Sequence, residues 1–463
     1  MNYIHAEADE QIQFLNVPSY LPGFTNTRTM TGTAKSGKKV INFKGILNTT
    51  KEDRICECCG NYMHVNNSRK ATLRHLNFGE TYTCVEFNRV QMRCPVCGET
   101  KMQEIKFKAP GHWITNELYQ YTRDLLAVGK YTLKQVADIT GLGKNTVKDI
   151  DLKRLKDLYT IDGEALIKPE KPSKFLAIDE FKLHDGYKYA THIIDLETGH
   201  ILWISEGKKK QIVYDFIDHV GLEWMDNVEA VACDMNSDFQ EAFEEKCPHI
   251  QPVFDRFHIV KNFNDKVISA VRKDEQRRLS EEGNTESAKL LKNTKYILMS
   301  NRSTLQEKDS LAGTVYNSGS EIFGIKQTTR KSGYEARYDT LLKENKLFFT
   351  ADLVKEKLSY AYSLTDESLM AAEITEIIDI CEATGNKHFK WFSNLLFNHF
   401  EGIIAHATYT NASSGKIEGI NNKIKTLRRQ AYGYPDDEYF FLKLFDISRI
   451  TYIRNVPSHK ICD

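Results

Sequence analysis

The 463-residue chain carries no net charge, because its 63 Lys and Arg residues balance 63 Asp and Glu. Bulk charge therefore does not announce a nucleic-acid partner, and only a local concentration of cations can do so. The chain has no run of about 18 apolar residues, so no helical membrane span is expected. The first residues, MNYIHAEADEQIQFLNVPSY, lack the basic-then-apolar order of a secretory signal, and the cytosol (cytoplasmic) is the expected compartment. Ten cysteines are few for a disulfide scaffold of this length. Four of them stand in two CxxC pairs, the pattern of metal binding in a reducing compartment. What the chain does contain is ordinary globular material, 41% apolar and 27% charged, with length for two to four domains.

Residues 1–50 show little periodicity and include MTGTAKSGKKV, and they read as a loosely packed arm. Residues 51–108 read as a zinc ribbon. Cys56 and Cys59 in CECCG, and Cys94 and Cys97 in RCPVCG, each precede a Gly (Gly60, Gly98) that lets the backbone fold under a metal. Two such turns supply four thiolates for one structural Zn²⁺, with β-rich sequence between them. Unpaired buried cysteines are the alternative, and Cys58, Cys84, His64 and His75 are reserve ligands. Residues 109–167 read as helices. LKQVADIT, a Gly-containing turn and KNTVKDIDLKRL give a helix-turn-helix, with Val136, Ala137 and Ile139 facing Val147 and Ile150. Lys144, Asn145, Thr146 and Lys148 would then meet DNA; an ordinary helical hairpin is the alternative. KPEKPSK, residues 168–174, is a linker.

From Lys174 the pattern changes to strands. KFLAIDEFKL, YKYATHIIDL and ILWISEG form three antiparallel strands, followed by a helix, a buried strand in VEAVACDM, a helix, and a strand opening IQPVFDRFHI. This is the order of an α/β, ribonuclease-H-like fold, with residues 174–262 as its first part. Asp179 lies in the first strand and Asp234 ends the fourth. A buried strand ending in Asp is costly unless the charge is paired or bound to metal, although Asp234 could also serve as a turn residue. Glu180 points to the opposite face from Asp179, and Asp238 caps the next helix.

Residues 263–387 read as a helical insertion. Phe257, Val260, Phe263, Val267 and Val271 form a stripe, and Arg272, Lys273, Arg277 and Arg278 form a basic end that is either a DNA contact or a solvated face. Residues 388–455 return to the core. There GKIEGINNKIKTLRRQAYGY, residues 415–434, holds one acid, Glu418, among Lys423, Lys425, Arg428 and Arg429. One reading is a surface helix with a salt bridge. The other is a helix that delivers Glu418 beside Asp179 and Asp234 while its cations grip DNA, completing the carboxylate set that two-metal phosphoryl transfer needs.

The two knuckles, the helix-turn-helix, AIDEF, CDMN, FDRFHIVK and IEGINNKIKTLRRQAYGY, in that order, resemble the DDE transposases of bacterial insertion sequences. The closest likeness is to the ISL3 family, whose catalytic domain ends in an EG-N-IK…R-AYG segment, and it runs from about residue 54 to 450. The resemblance implies that Asp179, Asp234 and Glu418 are the catalytic triad and hold two Mg²⁺ or Mn²⁺ ions. It gives Asp255 and His258 a supporting place. It implies double-stranded DNA partners (terminal inverted repeats and target), DNA cleavage and strand transfer, and a dimer or larger assembly on DNA. No covalent protein–DNA intermediate is required, so the lack of an obvious nucleophilic Ser or Tyr motif is consistent. Two other readings share these motifs: a non-catalytic DNA-binding regulator derived from a transposase, and a structure-specific nuclease on the same fold.

Overall fold

The computed structural model describes residues 3–4, 21–186, 188–235, 237–320, 324–412, 415–431 and 434–450. The chain is mixed α/β and forms two compact units. One comprises the N-terminal residues to Ile167 together with the chain from Leu427, and the other comprises Lys168–Thr426. The expected segment 388–455 is thus divided, with the boundary inside the helix Gly415–Gln430.

The first unit is built on a six-stranded sheet of β1 (Tyr3–Ile4), β2 (Phe24–Ala34), β3 (Lys39–Leu47), β4 (His64–Phe78), β5 (Thr81–Arg93) and β6 (Thr100–Met102). Its order is β1-β2-β3-β5-β4, with β6 also on β5. Residues 24–47 are therefore a β-hairpin and not a loose arm. Their periodicity is faint because Thr-rich β2 carries few apolar residues. The apolar partner strand β3 buries Ile41 and Phe43 and pairs in parallel with β5, a contact remote in sequence. Leu21 and Leu47 join Leu73, Val85, Phe87, Ile105 and Phe107 in one core. Among the earlier residues only Tyr3–Ile4 are described, so most of the arm's first 20 residues lie outside the described set.

After the sheet come α1 (Asn116–Ala127), α2 (Leu133–Thr140) and α3 (Lys144–Tyr159). A capping box of Thr132 and Gln135 starts α2, and Gly141 ends it at φ 69°, the left-handed conformation that glycine adopts without strain. Val136, Ala137, Val147 and Ile150 meet in the helical core with Leu118 and Leu126. Ile139 does not join them and is exposed. At 100° per residue, positions 136, 137 and 140 share a face from which 139 turns away, so Thr140 takes the inward place. The short strands β7 (Thr160–Ile161) and β8 (Ala165–Leu166) follow. The C-terminal helix Asp437–Arg449 packs on α3 through a buried polar network. Arg154 Nη2 lies 2.7 Å from Asp446 and its Nε donates to Asp151 at 2.9 Å. Asp151 also accepts from Tyr439 Oη at 2.7 Å and Lys443 Nζ at 3.0 Å.

The second unit centres on a five-stranded sheet of β9 (Phe175–Lys182), β10 (Tyr189–Asp195), β11 (Ile201–Glu206), β12 (Ala230–Cys233) and β13 (Gln251–Phe254). The order is β11-β10-β9-β12-β13. The first three strands are antiparallel, and β12 runs parallel to both β9 and β13. Leu176, Ile178 and Ile193 face a core shared with α4 (Gln211–Val220), α5 (Leu222–Met225) and α6 (Ser237–Lys246). Strand alternation turns Ala177, Asp179 and His192 to the other face.

Helices then run from α7 (Arg256–Asn262) through Phe400–Thr408 and share the same core. The expected helical insertion is not helical throughout, however: Val315–Ser320 and Gly324–Thr329 pair as an antiparallel two-stranded sheet. Of the expected stripe, Phe263, Val267 and Val271 are buried, but Ile259 replaces the exposed Phe257 and Val260 is only half-buried. A π-helical stretch, Phe263–Ile268, takes more residues per turn and shifts the phase of the pattern. In the basic end of this segment, Arg272 donates to Leu291 O and Gln276, and Arg278 pairs with Glu275 and Glu282. Lys273 and Arg277 remain exposed. Among the described residues, no helix is long and apolar enough to cross a membrane.

Candidate active site and metal centre

Asp179 and Asp234 are brought together by strand pairing. The parallel register matches Ala177 with Ala232, and continuing it two residues sets Asp234 beside Asp179 on strands about 4.8 Å apart. Asp179 Oδ1 accepts from Glu180 N at 2.7 Å, and its Oδ2 accepts from Asn421 Nδ2 at 2.6 Å. Asp234 Oδ1 accepts from Met235 N at 2.7 Å and lies 3.2 Å from His258 Nδ1. His258 stands in the first turn of α7, whose N-cap Asp255 accepts from Phe257 N at 2.9 Å.

The electrostatics keep Asp234 charged. Partial burial raises the Asp234 carboxyl, but the His258 hydrogen bond and charge, the Met235 amide and Lys261 outweigh it, leaving Asp234 below the ordinary carboxylate range. Burial lowers His258, yet Asp234, Asp255 and Asp179 together lift it above the ordinary imidazole value. His192, opposite Asp179 on β10, is fully buried, and that burial drives it down to about 4 against the pull of Asp179, so the ring is neutral. Burial likewise lowers His399, against the pull of Asp234, and its ring meets Phe254 edge-on with centroids 5.0 Å apart.

The helix Gly415–Gln430 crosses to this face at two points. Lys416 Nζ donates to the carbonyls of Leu196 and Glu197 at 2.5 and 2.7 Å, and Asn421 reaches Asp179. Glu418, exposed, lies one turn before Asn421 on the same flank of the helix. Glu418 thus stands one helical turn from the residue that holds Asp179, while among the described residues the three carboxylates are not drawn into a group as tight as the cysteine cluster below. The donor set is nevertheless suited to Mg²⁺: hard carboxylate oxygens, with one held ionised and with the buried Asn421 Oδ1 lacking a hydrogen-bond partner beside them. On the same helix Lys425 and Arg429 are exposed, and Lys423 and Arg428 are half-buried.

Asn421 and His192 are absent from the sequence reading. Asn421 had a signal in EGINN, one turn past the acid. His192 had none, because only the β9–β10 register sets it against Asp179.

The four knuckle cysteines converge. Their Sγ atoms all lie within 4.8 Å of one another, with Cys56–Cys97, Cys59–Cys94 and Cys59–Cys97 at 3.5, 3.4 and 3.5 Å. A zinc–sulfur bond of about 2.3 Å requires tetrahedral edges of about 3.8 Å, so the cluster needs only slight expansion to take Zn²⁺. The turns close through Gly60 N to Cys56 O at 2.9 Å and Gly98 N to Cys94 O at 3.1 Å. Hydrogen bonds from the Asn61 side chain and backbone pull the Cys59 thiol down to about 6, toward the thiolate that a metal takes. None of the reserve ligands enters this group. His75 is buried against Thr115, with Nδ1 2.9 Å from Oγ1, and Cys84 lies within β5.

At the start of α3, Lys144 and Asn145 are exposed and Thr146 is half-buried. Lys148 is committed elsewhere: its Nζ pairs with Asp436 at 2.7 Å and lies over the Tyr439 ring.

The family model of ISL3 DDE transposases, described as a transposase, matches residues 176–444, which include Asp179, Asp234 and Glu418. The chain is 26% identical over 401 residues to the transposase for insertion sequence element IS1001 of Bordetella parapertussis, covering 86% of this chain and 89% of that protein. It is 23% identical over 279 residues to the transposase for insertion sequence element IS1557 of Mycobacterium tuberculosis, covering 56% of each. A solved structure, the Drosophila P element transposase strand transfer complex, aligns with a TM-score of 0.33 and 10% identity over 72% of this chain and 92% of its own. The chain belongs to the ISL3 family of DDE transposases.

Proposed function

We propose that this transposase binds the ends of its insertion sequence, cuts a DNA strand there and joins the freed end to target DNA. The observation that carries the reading is the meeting of three segments at one sheet edge: Asp179 on β9, Asp234 at the end of β12, and the Glu418 helix hydrogen-bonded to Asp179 through Asn421. A strand order of three antiparallel strands followed by two parallel ones supports a ribonuclease-H-like core. Asp179, Asp234 and Glu418 would hold two Mg²⁺ or Mn²⁺ ions. Bound there, such ions supply Lewis acidity and activation of an attacking hydroxyl. Asn421 orients the Asp179 carboxylate. His258 keeps Asp234 ionised and fixes one of its oxygens, with Asp255 starting the helix that carries it.

The cysteine quartet reads as a closed structural zinc site, with no open position for chemistry. α2 and α3 read as a helix-turn-helix that sets Lys144, Asn145 and Thr146 against a major groove. Lys148 is not carried into that role, since its charge is spent on Asp436. Lys423, Lys425, Arg428 and Arg429 read as contacts to the DNA strand at the active site. Work on two element ends calls for a dimer or larger assembly on DNA, and the cytoplasm is the setting that matches these ligands and partners.

The test is incubation of labelled element ends and target DNA with Mg²⁺ and wild-type, Asp179→Asn or Glu418→Gln protein. Wild type should give nicked and joined products, and each variant should bind the ends yet give neither. Cleavage retained in both variants would remove the triad, and cutting without joining would favour a nuclease.

A further inference from the structure

The six-stranded sheet has a filled face and a second, open face that buries Val40, Asn42, Cys84 and Glu86 but leaves Arg28 and Lys70 exposed. On β5, Val85 and Phe87 turn into the core, so Glu86 and Asn88 turn the other way. Strand register carries this alternation across the sheet. Arg28 pairs with Lys44, Lys44 and Thr72 pair with Glu86, and Lys70 pairs with Asn88. Arg28, Lys44 and Lys70 therefore share the open face, and Glu86 is the acid that its strands carry there. Glu86 takes Lys70 at 3.0 Å, Lys44 at 3.5 Å and Asn42 Nδ2 at 3.0 Å. One carboxylate thus spaces two ammonium groups and leaves the face positive.

Composition points the same way. Residues 21–108 hold fifteen Lys and Arg against seven Asp and Glu, and residues 21–50 hold five cations and no acid, in a chain whose total is zero. The face also runs into the turn that precedes α3. Arg74 stacks on Tyr82, 4.1 Å from its centroid, and donates to Thr140 O at 3.2 Å. A Cβ on Gly141 would stand 2.6 Å from the same ring. Lys144 and Asn145 begin α3 three residues later.

We propose that this open face binds the phosphodiester backbone of duplex DNA alongside the start of α3, with Arg28, Lys44 and Lys70 as phosphate contacts. This rests on the reading of α3 as a DNA-binding helix and adds to it a surface that positions without reading sequence. Single strands are the poorer fit, because they call for open aromatic platforms and the Tyr82 ring is already covered by Arg74.

The experiment measures binding of the full-length protein, without divalent ions, to an element-end duplex and a scrambled duplex of equal length over a range of NaCl concentrations. Each phosphate contact adds about 0.9 to the slope of log affinity against log salt. The triple variant Arg28→Gln, Lys44→Gln, Lys70→Gln should lose about 2–3 from that slope and weaken both duplexes alike, keeping their affinity ratio. Arg28→Gln alone, which leaves the Glu86 cluster intact, should lose about 1. Wild-type slopes in both variants would overturn the sheet surface while leaving α3 as the DNA-binding helix. Failure of the wild type to bind either duplex would overturn both readings.

Discussion

Asp179 has one carboxylate oxygen on its neighbour's amide and the other on Asn421, so its orientation depends on a side chain 242 positions away. A hydrogen bond to a charged group contributes about 1.5–3 kcal/mol. Asn421→Ala should therefore slow strand cleavage about 10–100-fold with end binding unchanged, as read by single-turnover kinetics on prebound ends. An unaltered rate would deny Asn421 a positioning role. The Asp234–His258 pair makes a pH prediction. Asp234 is held low, so its contribution is present above the unfolded carboxyl value of about 3.9 and is lost as pH falls through the lower folded one. His258 is held high, so its contribution is complete below about 6.5 and is lost as pH rises through the raised folded value. With divalent ions chelated, the melting temperature of wild type should exceed that of His258→Gln most between about pH 4 and 6.5, and the gap should close at alkaline pH. A gap that stays constant to alkaline pH would show that the ion pair contributes nothing. Asp179 and Asp234 could be named from sequence because an acid closing an apolar run is a conspicuous cost. His192 could not, since a His in a strand acquires meaning only from what stands opposite, and Asn421 had no more than its place one turn past Glu418.

Among the elements, α3 and the C-terminal helix are joined by charges without access to water. Asp151, Arg154 and Asp446 are all buried, and Tyr159 Oη adds a hydrogen bond to Asp446 at 3.0 Å. Removing one member of such a cluster leaves uncompensated charge, at about 3–5 kcal/mol. Arg154→Met should lower the melting transition of the first unit accordingly, and the double variant with Asp446→Leu should recover part of the loss. Equal loss in both would point to packing of the Arg stem as the main contribution. The helices themselves were legible because their caps and apolar spacing are local. The β2–β3 hairpin was not, because its core contacts come from β5 some forty residues on, and the stripe beyond Phe257 was misphased by the π-turn at Phe263–Ile268.

Taken as a whole, the molecule pairs a cysteine cluster in one unit with a carboxylate site in the other. Structural zinc contributes about 10–16 kcal/mol to the folding of small zinc domains. The purified protein should hold one zinc per chain, and strong chelation or Cys56→Ser should abolish end binding and lower the melting of the first unit while the second keeps its own transition. Full end binding in zinc-free protein would make the cluster incidental. The CxxC spacing, the strand and helix order, and the motifs that mark an ISL3 transposase were all in the sequence, because each is set by residues close together in the chain. Which cysteines converge, which asparagine holds the first aspartate, that Lys148 is spent on Asp436, and that residues 24–47 complete a sheet were decided only by tertiary structure. Each depends on a contact between distant segments, and no local pattern encodes the partner.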